Sequence, residues 1–132
     1  MFEKNGITIY ENNEKTARFY ISYVSEECST GILFLAPGAS LSKHNRPHAI
    51  ENLTQISGTC LMTLFDKQDD KKEIVLGVGE GIRMDKGEYH IHANPYKEES
   101  ITLWKAEGDI RDIIENIKKT NKQVNTNIPK NL

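Results

Sequence analysis

Two blocks of the sequence that begin with glycine, 38–58 and 79–94, constrain the fold of this chain more than any other feature. Each block has the composition of β-strands and carries histidine at a fixed distance from glycine. The defining residues are Gly38, His44, Arg46, Glu51 and Gly58 in the first block, and Gly79, Asp85, Gly87, His90 and Asn94 in the second. Three of the four histidines and one carboxylate thus fall where a barrel could collect them. Such a set suits a metal or an anionic ligand.

Short runs rich in β-branched and aromatic residues recur along the whole chain. Turn-forming pairs such as Pro37-Gly38 and Asn94-Pro95 separate them. The pattern is typical of an all-β sandwich or barrel. The predicted strands are 7–10, 17–24, 31–35, 41–44, 51–57, 59–66, 73–76, 81–84, 90–94 and 100–106. Within 59–65 both alternating faces are mostly apolar, so we expect a central strand there.

One helix is predicted near the end of the chain. Its apolar residues recur at helical spacing and form a single stripe. The stripe consists of Ile110, Ile113, Ile114 and Ile117. Asp109 can cap the helix at its N-terminus. We expect the isoleucine stripe to pack against the outside of a barrel or against a partner subunit.

Length and charge limit the possible functions. A chain of 132 residues makes one domain; we place it at 1–120 and predict a flexible polar tail at 121–132. Seventeen basic and nineteen acidic side chains leave no basic block, which argues against nucleic acid and anionic membranes as partners. No apolar stretch approaches the roughly 20 residues of a membrane span, and the N-terminus lacks the apolar run of a signal peptide. We therefore expect a cytoplasmic protein.

The offsets within the two blocks resemble those of the cupin superfamily. The family's first motif is glycine, five residues, His-x-His, three or four residues, glutamate, six residues and glycine. Its second motif is glycine, five residues, Pro-x-Gly, two residues, histidine, three residues and asparagine. The chain departs from the pattern where Arg46 replaces the second histidine and Asp85 replaces the proline. The resemblance covers about residues 30–105 and implies a double-stranded β-helix, or jelly-roll barrel, to which the C-terminal α-helix is added.

The resemblance also implies a metal site. In the family, two histidines and a glutamate of the first motif and one histidine of the second bind the metal, and His44, Glu51 and His90 match three of these positions. Arg46 cannot supply the fourth ligand, because its guanidinium offers no lone pair. Either His48 completes the set, or the three matching residues form a face with open positions for substrate. The expected metal is divalent iron, manganese, nickel or zinc.

Residues two apart share one face of a strand, which extends the candidate pocket. Two such series occur: His44, Arg46 and His48, and His90, His92 and Asn94. The predicted ligand-binding residues are Arg46, His48, His92 and Asn94. Arg46 either holds a carboxylate or phosphate of the ligand through paired hydrogen bonds or forms an ion pair with Glu51. His92 either lines the pocket or supports a metal ligand.

Two classes of function follow. The first is a small cupin that binds a small polar or anionic metabolite at a divalent metal, with isomerisation, decarboxylation and oxygenation as candidate reactions. The alternative is a metal-free ligand-binding or sensory cupin without catalytic activity, in which Arg46 binds the anion. We also expect a homodimer, because a barrel of this size leaves strand edges exposed, and the N-terminal run and the isoleucine stripe offer apolar surface to cover them.

Overall fold

The computed structural model of the protein describes residues 6–124. Within this range the chain forms ten strands and one helix. They are β1 (Thr8–Glu11), β2 (Ala17–Val24), β3 (Cys28–Leu35), β4 (Ala49–Ser57), β5 (Cys60–Phe65), β6 (Lys71–Leu76), β7 (Gly81–Met84), β8 (His90–Ala93), β9 (Ser100–Gly108), α1 (Arg111–Thr120) and β10 (Lys122–Gln123). The predicted all-β architecture with one C-terminal helix is confirmed.

The strands form two antiparallel sheets. The larger has the order β10-β1-β2-β3-β9-β4-β7, and the smaller has the order β6-β5-β8. The predicted central position of β5 is therefore confirmed. The predicted strand 41–44 is only partly formed: the segment joins β8 through two isolated bridges, from Ser40 to Ala93 and from His44 to His90.

The hydrophobic core lies between the two sheets. Burial alternates along β3 and β9, as expected of strands with one face turned inward. Leu35 and Leu53 of the larger sheet and Met62 and Leu76 of the smaller sheet are each no more than 2% exposed. Burying each such side chain stabilises the fold by roughly 1.5–3 kcal/mol.

Trp104 fits into this core because a glycine lies opposite it. Gly31 of β3 is the register partner of Trp104 in β9. A Cβ atom at position 31 would collide with the indole ring and with the Tyr20 carbonyl oxygen. The only tryptophan of the chain thus lies on the inner wall of the barrel.

Helix α1 packs onto the barrel of its own chain. Ile110 and Ile114 are buried, and Ile113 and Ile117 pack against the core between the sheets. The N-cap residue is Ile110, without a side-chain cap hydrogen bond, so the predicted capping by Asp109 is not found. Asp109 lies one residue before it and accepts from the backbone N–H of Arg111. The stripe therefore covers the open side of the barrel interior, rather than its outer wall or a partner subunit. Within residues 6–124, no helix is long and apolar enough to cross a membrane.

The chain returns to the larger sheet after the helix. Strand β10 pairs with β1, with Gln123 opposite Tyr10, and the Val124 N–H donates to the Ile9 carbonyl at 2.9 Å. The first residues of the segment predicted as a tail are thus part of the sheet. The rest of that segment, 125–132, lies outside the described residues.

Candidate metal centre

His44 and His90 face each other across two backbone hydrogen bonds. The His44 N–H donates to the His90 carbonyl at 3.0 Å, and the His90 N–H donates to the His44 carbonyl at 2.8 Å. Antiparallel partners place their side chains on the same face, and the two ring centroids are 4.4 Å apart. Barrel closure therefore brings together one histidine from each sequence block.

His92 joins this pair as a third imidazole. It follows His90 by two residues in β8, so both side chains point into the barrel, where they are 1% and 3% exposed. The His92 ring lies 5.0 Å from that of His90 and stacks at 5.2 Å on that of His44. One ring nitrogen from each histidine lies within 4.8 Å of the others.

The backbone sets which ring nitrogen of two histidines points into the cluster. His44 Nδ1 lies 2.7 Å from the Ser42 carbonyl, and His90 Nδ1 lies 3.1 Å from the Glu88 carbonyl. A carbonyl only accepts hydrogen bonds, so each Nδ1 carries the proton and each Nε2 keeps a free lone pair. Support of this kind orients metal-binding histidines in proteins.

Glu51 brings a carboxylate to the cluster from the opposite sheet. It lies on the inner face of β4 and is 5% exposed. Its Oε2 atom is 3.4 Å from His90 Nε2, yet the pair lacks hydrogen-bond geometry and both atoms remain without a partner.

The cluster fits a divalent metal ion. Its inward atoms are buried and lack hydrogen-bond partners: His44 Nε2, His90 Nε2, His92 Nδ1 and Glu51 Oε2. Leaving such atoms unpaired costs free energy, which a shared cation would offset. Nitrogens that bind one ion at about 2.1 Å lie at most about 4.2 Å apart, so gathering the three imidazoles requires little movement.

Burial keeps the donor atoms in the protonation states that bind metal. It lowers the pKa of His44, also under the influence of the Arg46 charge, to about 4, and it lowers the pKa of His92 to about 3. Burial alone would raise the pKa of Glu51, but its contact with His90 and the charges of His92 and Arg46 lower it to about 2. At pH 7 His44 and His92 are neutral and Glu51 is ionised.

Arg46 lies beside the cluster with few partners of its own. Its side chain is 18% exposed, and its Nε atom is 3.8 Å from Glu51 Oε2. Among the described residues, its one hydrogen bond is a long contact of 3.4 Å from Nη1 to the Asn45 carbonyl. A guanidinium carries five N–H donors, so most of this donor set is left for a ligand.

His48 does not reach the centre. It is exposed and lines a surface depression with Asp109, Arg111, Asp112 and Glu115. Residues two apart share a face only in a strand, and 45–48 is not a strand. Pro47 and His48 form a turn instead, in which the Ala49 N–H donates to the Arg46 carbonyl. Three histidines converge, and His92, rather than His48, lies where it can compensate for Arg46.

Asn94 has a structural position instead of a ligand-facing one. Its amide nitrogen donates to the Leu35 and Glu98 carbonyls at 3.0 and 2.7 Å, and its Oδ1 accepts from the Tyr96 N–H at 3.2 Å. The buried amide is thus occupied in holding the loop after β8. Asp85, the other departure from the motif, pairs with Arg83 at the surface.

A small cavity lies between the centre and α1. Its volume is about 30 Å³, which holds about one water molecule. Its polar wall consists of Arg46, Glu51 and His92. Its apolar wall consists of Phe19, Leu33, Leu41, Trp104, Ala106, Ile110, Ile113, Ile114 and Ile117. The isoleucine spacing was the sequence signal for this wall, but the spacing did not indicate what the wall covers.

Comparison with known proteins finds similarity in solved structures only. No family model and no curated protein matches the chain. Oxalate decarboxylase from Bacillus subtilis, a protein with Mn(II) centres, superposes with a TM-score of 0.66 at 23% identity over 75% of this chain and 28% of its own. Oxalate oxidase in complex with glycolate gives 0.59 at 21% identity over 62% and 42%.

A third structure is the cupin domain of Cnp3 from Schizosaccharomyces pombe. It superposes with a TM-score of 0.63 at 16% identity over 78% of this chain and 70% of its own. The matched region spans less than half of the oxalate oxidase and oxalate decarboxylase chains. The two sheets, the paired histidine motifs and these structural likenesses agree that this chain has the cupin fold.

Proposed function

We propose that this protein binds a divalent metal through His44, His90, His92 and Glu51 and holds a small anionic metabolite beside it. The observation that carries the proposal is the set of four buried, unpartnered donor atoms that converge on one point. Three imidazoles and one carboxylate suit iron, manganese, nickel or zinc. The Mn(II) centres of oxalate decarboxylase, a protein of similar fold, support a divalent metal.

The charge of the pocket supports an anionic ligand. With a divalent cation bound, Arg46 and the metal carry three positive charges against one on Glu51, and these groups lie away from bulk water, where electrostatic attraction is strong. The free donors of Arg46 suit a carboxylate or phosphate. The glycolate complex of oxalate oxidase is consistent with a small carboxylate in this fold.

The residues of the chain limit the reaction. A bound metal would supply a Lewis acid next to the anion. Arg46 would orient the ligand, and the apolar wall would exclude water. Three of the four histidines belong to the centre and His48 is at the surface, so no histidine remains in the pocket to move protons. This argues against isomerisation, which needs a proton relay, and favours oxygenation; decarboxylation would also need a proton for the carbon that loses CO2.

One observation favours the metal-free alternative. Arg46 Nε lies 3.8 Å from Glu51 Oε2, so the two charges partly neutralise each other without any ion. In a ligand-binding or sensory cupin of this kind, the imidazoles would form a polar wall and Arg46 would hold the anion alone. Metal content separates the two functions.

The test is the metal content of protein purified without a histidine tag. We expect one divalent ion per chain, measured by elemental analysis after incubation with manganese, iron, nickel or zinc salts. His90→Ala should weaken metal binding by more than the roughly 10–100-fold that loss of a supporting residue costs.

His48→Ala is the matched control, because it removes the histidine that lies at the surface. It should bind metal as the unaltered protein does. If no metal binds to the unaltered chain, or if His48→Ala loses as much metal as His90→Ala, the proposal is wrong.

A further inference from the structure

We propose, building on the metal and anion binding proposed above, that the ligand is a monoanion with a short apolar group. Its charged end contacts the metal and Arg46, and its apolar end enters the cavity under α1. The site is thereby assigned to short-chain or branched monocarboxylates, in preference to small dicarboxylates.

The polar atoms around the cavity are confined to one end. Arg46, Glu51 and His92 lie together at one end, and the remaining lining residues are all apolar. A carboxylate placed at the apolar end would lose its hydration without gaining a partner, which is strongly unfavourable. The pocket therefore suits one charged group, at the polar end.

Helix α1 is held over the cavity mainly by apolar contacts. Its backbone bonds run within the helix, as from the Ile114 N–H to the Ile110 carbonyl at 2.9 Å. Among the described residues, the one ion pair from its side chains to the barrel is the exposed contact between Arg111 and Glu26 at 3.8 Å. The remaining contacts between the helix and the barrel are apolar contacts of the isoleucine side chains. In the described part of the chain, no hydrogen bond joins the helix itself to the barrel, although the pairing of β10 with β1 tethers its C-terminal end.

The cavity is small compared with a metabolite. It has a volume of about 30 Å³ and holds about one water molecule, so a ligand with more than one or two methylene groups must displace isoleucine side chains. An apolar tail restores the contacts that the displaced helix loses, whereas a polar tail does not. Binding of apolar ligands is therefore coupled to a shift of α1.

Trp104 makes the inference measurable. It is the only tryptophan of the chain, is 9% exposed and lines the cavity. Its fluorescence reports on what occupies the space beside it. The probes are acetate, butanoate and hexanoate, with oxalate and succinate as dianions, added to protein loaded with Zn(II), and calorimetry gives their Kd values.

We expect affinity to rise about two- to fourfold per added methylene from acetate to butanoate, with a change in Trp104 fluorescence. Oxalate and succinate should bind more weakly than butanoate. Ile117→Ala should shift the preference towards hexanoate, because it enlarges the apolar end. Leu103→Ala, an apolar change on the outer face of β9, should leave every Kd unchanged.

The outcomes separate the two proposals. If Zn(II) binds but affinity does not depend on the tail, or a dianion binds most tightly, this inference is wrong and the metal-binding proposal stands. If none of manganese, iron, nickel and zinc binds, both are wrong. If Ile117→Ala fails to fold, Ile113→Ala, which alters the same wall, provides the same comparison.

Discussion

Arg46 is the residue that distinguishes this centre from the family pattern. It lies next to Glu51 and close to the imidazoles, so it repels a bound cation and competes for the carboxylate. Arg46→His removes this charge and offers a ring nitrogen. We expect metal affinity to rise by about tenfold or more, and affinity for an anion such as butanoate to fall by roughly 10–100-fold.

Calorimetry with Zn(II) and with the anion measures both effects. Arg83→His is the control, because Arg83 is exposed on β7 and should alter neither affinity. Unchanged metal affinity in Arg46→His would mean that Arg46 does not occupy the ligand position that the motif assigns to it.

The buried imidazoles also make the stability of the metal-free protein depend on pH. In the unfolded chain histidine binds a proton below about pH 6.5, whereas folded His44 and His92 do so only near pH 4 and 3. Between these values the unfolded state binds more protons, so the free energy of unfolding falls as pH is lowered. The slope is at most about 1.4 kcal/mol per pH unit for each histidine.

Glu51 acts in the same direction at lower pH. Its folded pKa of about 2 lies below its ordinary value of 4.5, so its contribution to the free energy of unfolding is present above pH 4.5 and is lost as the pH falls towards 2.

Urea unfolding at pH 7, 6 and 5 measures the effect of the histidines on the free energy of unfolding, because Glu51 stays ionised in this range. His92→Phe should reduce the slope in that window, whereas an identical slope in this variant would contradict the assignment.

At the scale of elements, the pairing of β3 with β9 depends on one glycine. Gly31→Ala would force a Cβ into the Trp104 ring and the Tyr20 carbonyl oxygen. We expect a loss of roughly 1–3 kcal/mol or more in the free energy of unfolding, with altered Trp104 fluorescence, both measured by urea titration. Gly6→Ala is the control, because nothing lies within 4 Å of a Cβ there. Equal stabilities of the two variants would contradict this packing.

At the scale of the whole molecule, we propose that the chain forms a homodimer. The isoleucine stripe is used within the chain, so it does not provide the interface. The outer face of the larger sheet still exposes apolar side chains, with Leu103 and Ile56 42% and 46% exposed. A second copy would cover them in a twofold arrangement.

Sedimentation velocity at tens of micromolar should show a dimer. Leu103→Lys should shift it to monomer, whereas Val78→Lys, an exposed apolar position in the loop after β6, should not. Only monomer in the unaltered protein would remove this proposal.

Much of this architecture could be predicted from local patterns. Strands β2 and β7 have the predicted bounds, because alternation and flanking turns depend on neighbouring residues. His44, Glu51 and His90 meet as the motif offsets indicate, since a fixed number of residues between glycine turns fixes which strand positions face inward.

The remaining features depended on contacts between distant segments. Alternation along the strand predicts that His48 faces the pocket and leaves the role of His92 open. The prediction for His48 is wrong because alternation holds only inside a strand, and residues 45–48 form no strand. Asn94 lost its predicted ligand role to carbonyls of Leu35 and Glu98, which the spacing could not reveal. An apolar stripe requires an apolar partner but does not specify one; only the closure of the barrel placed the stripe of α1 over the histidine cluster.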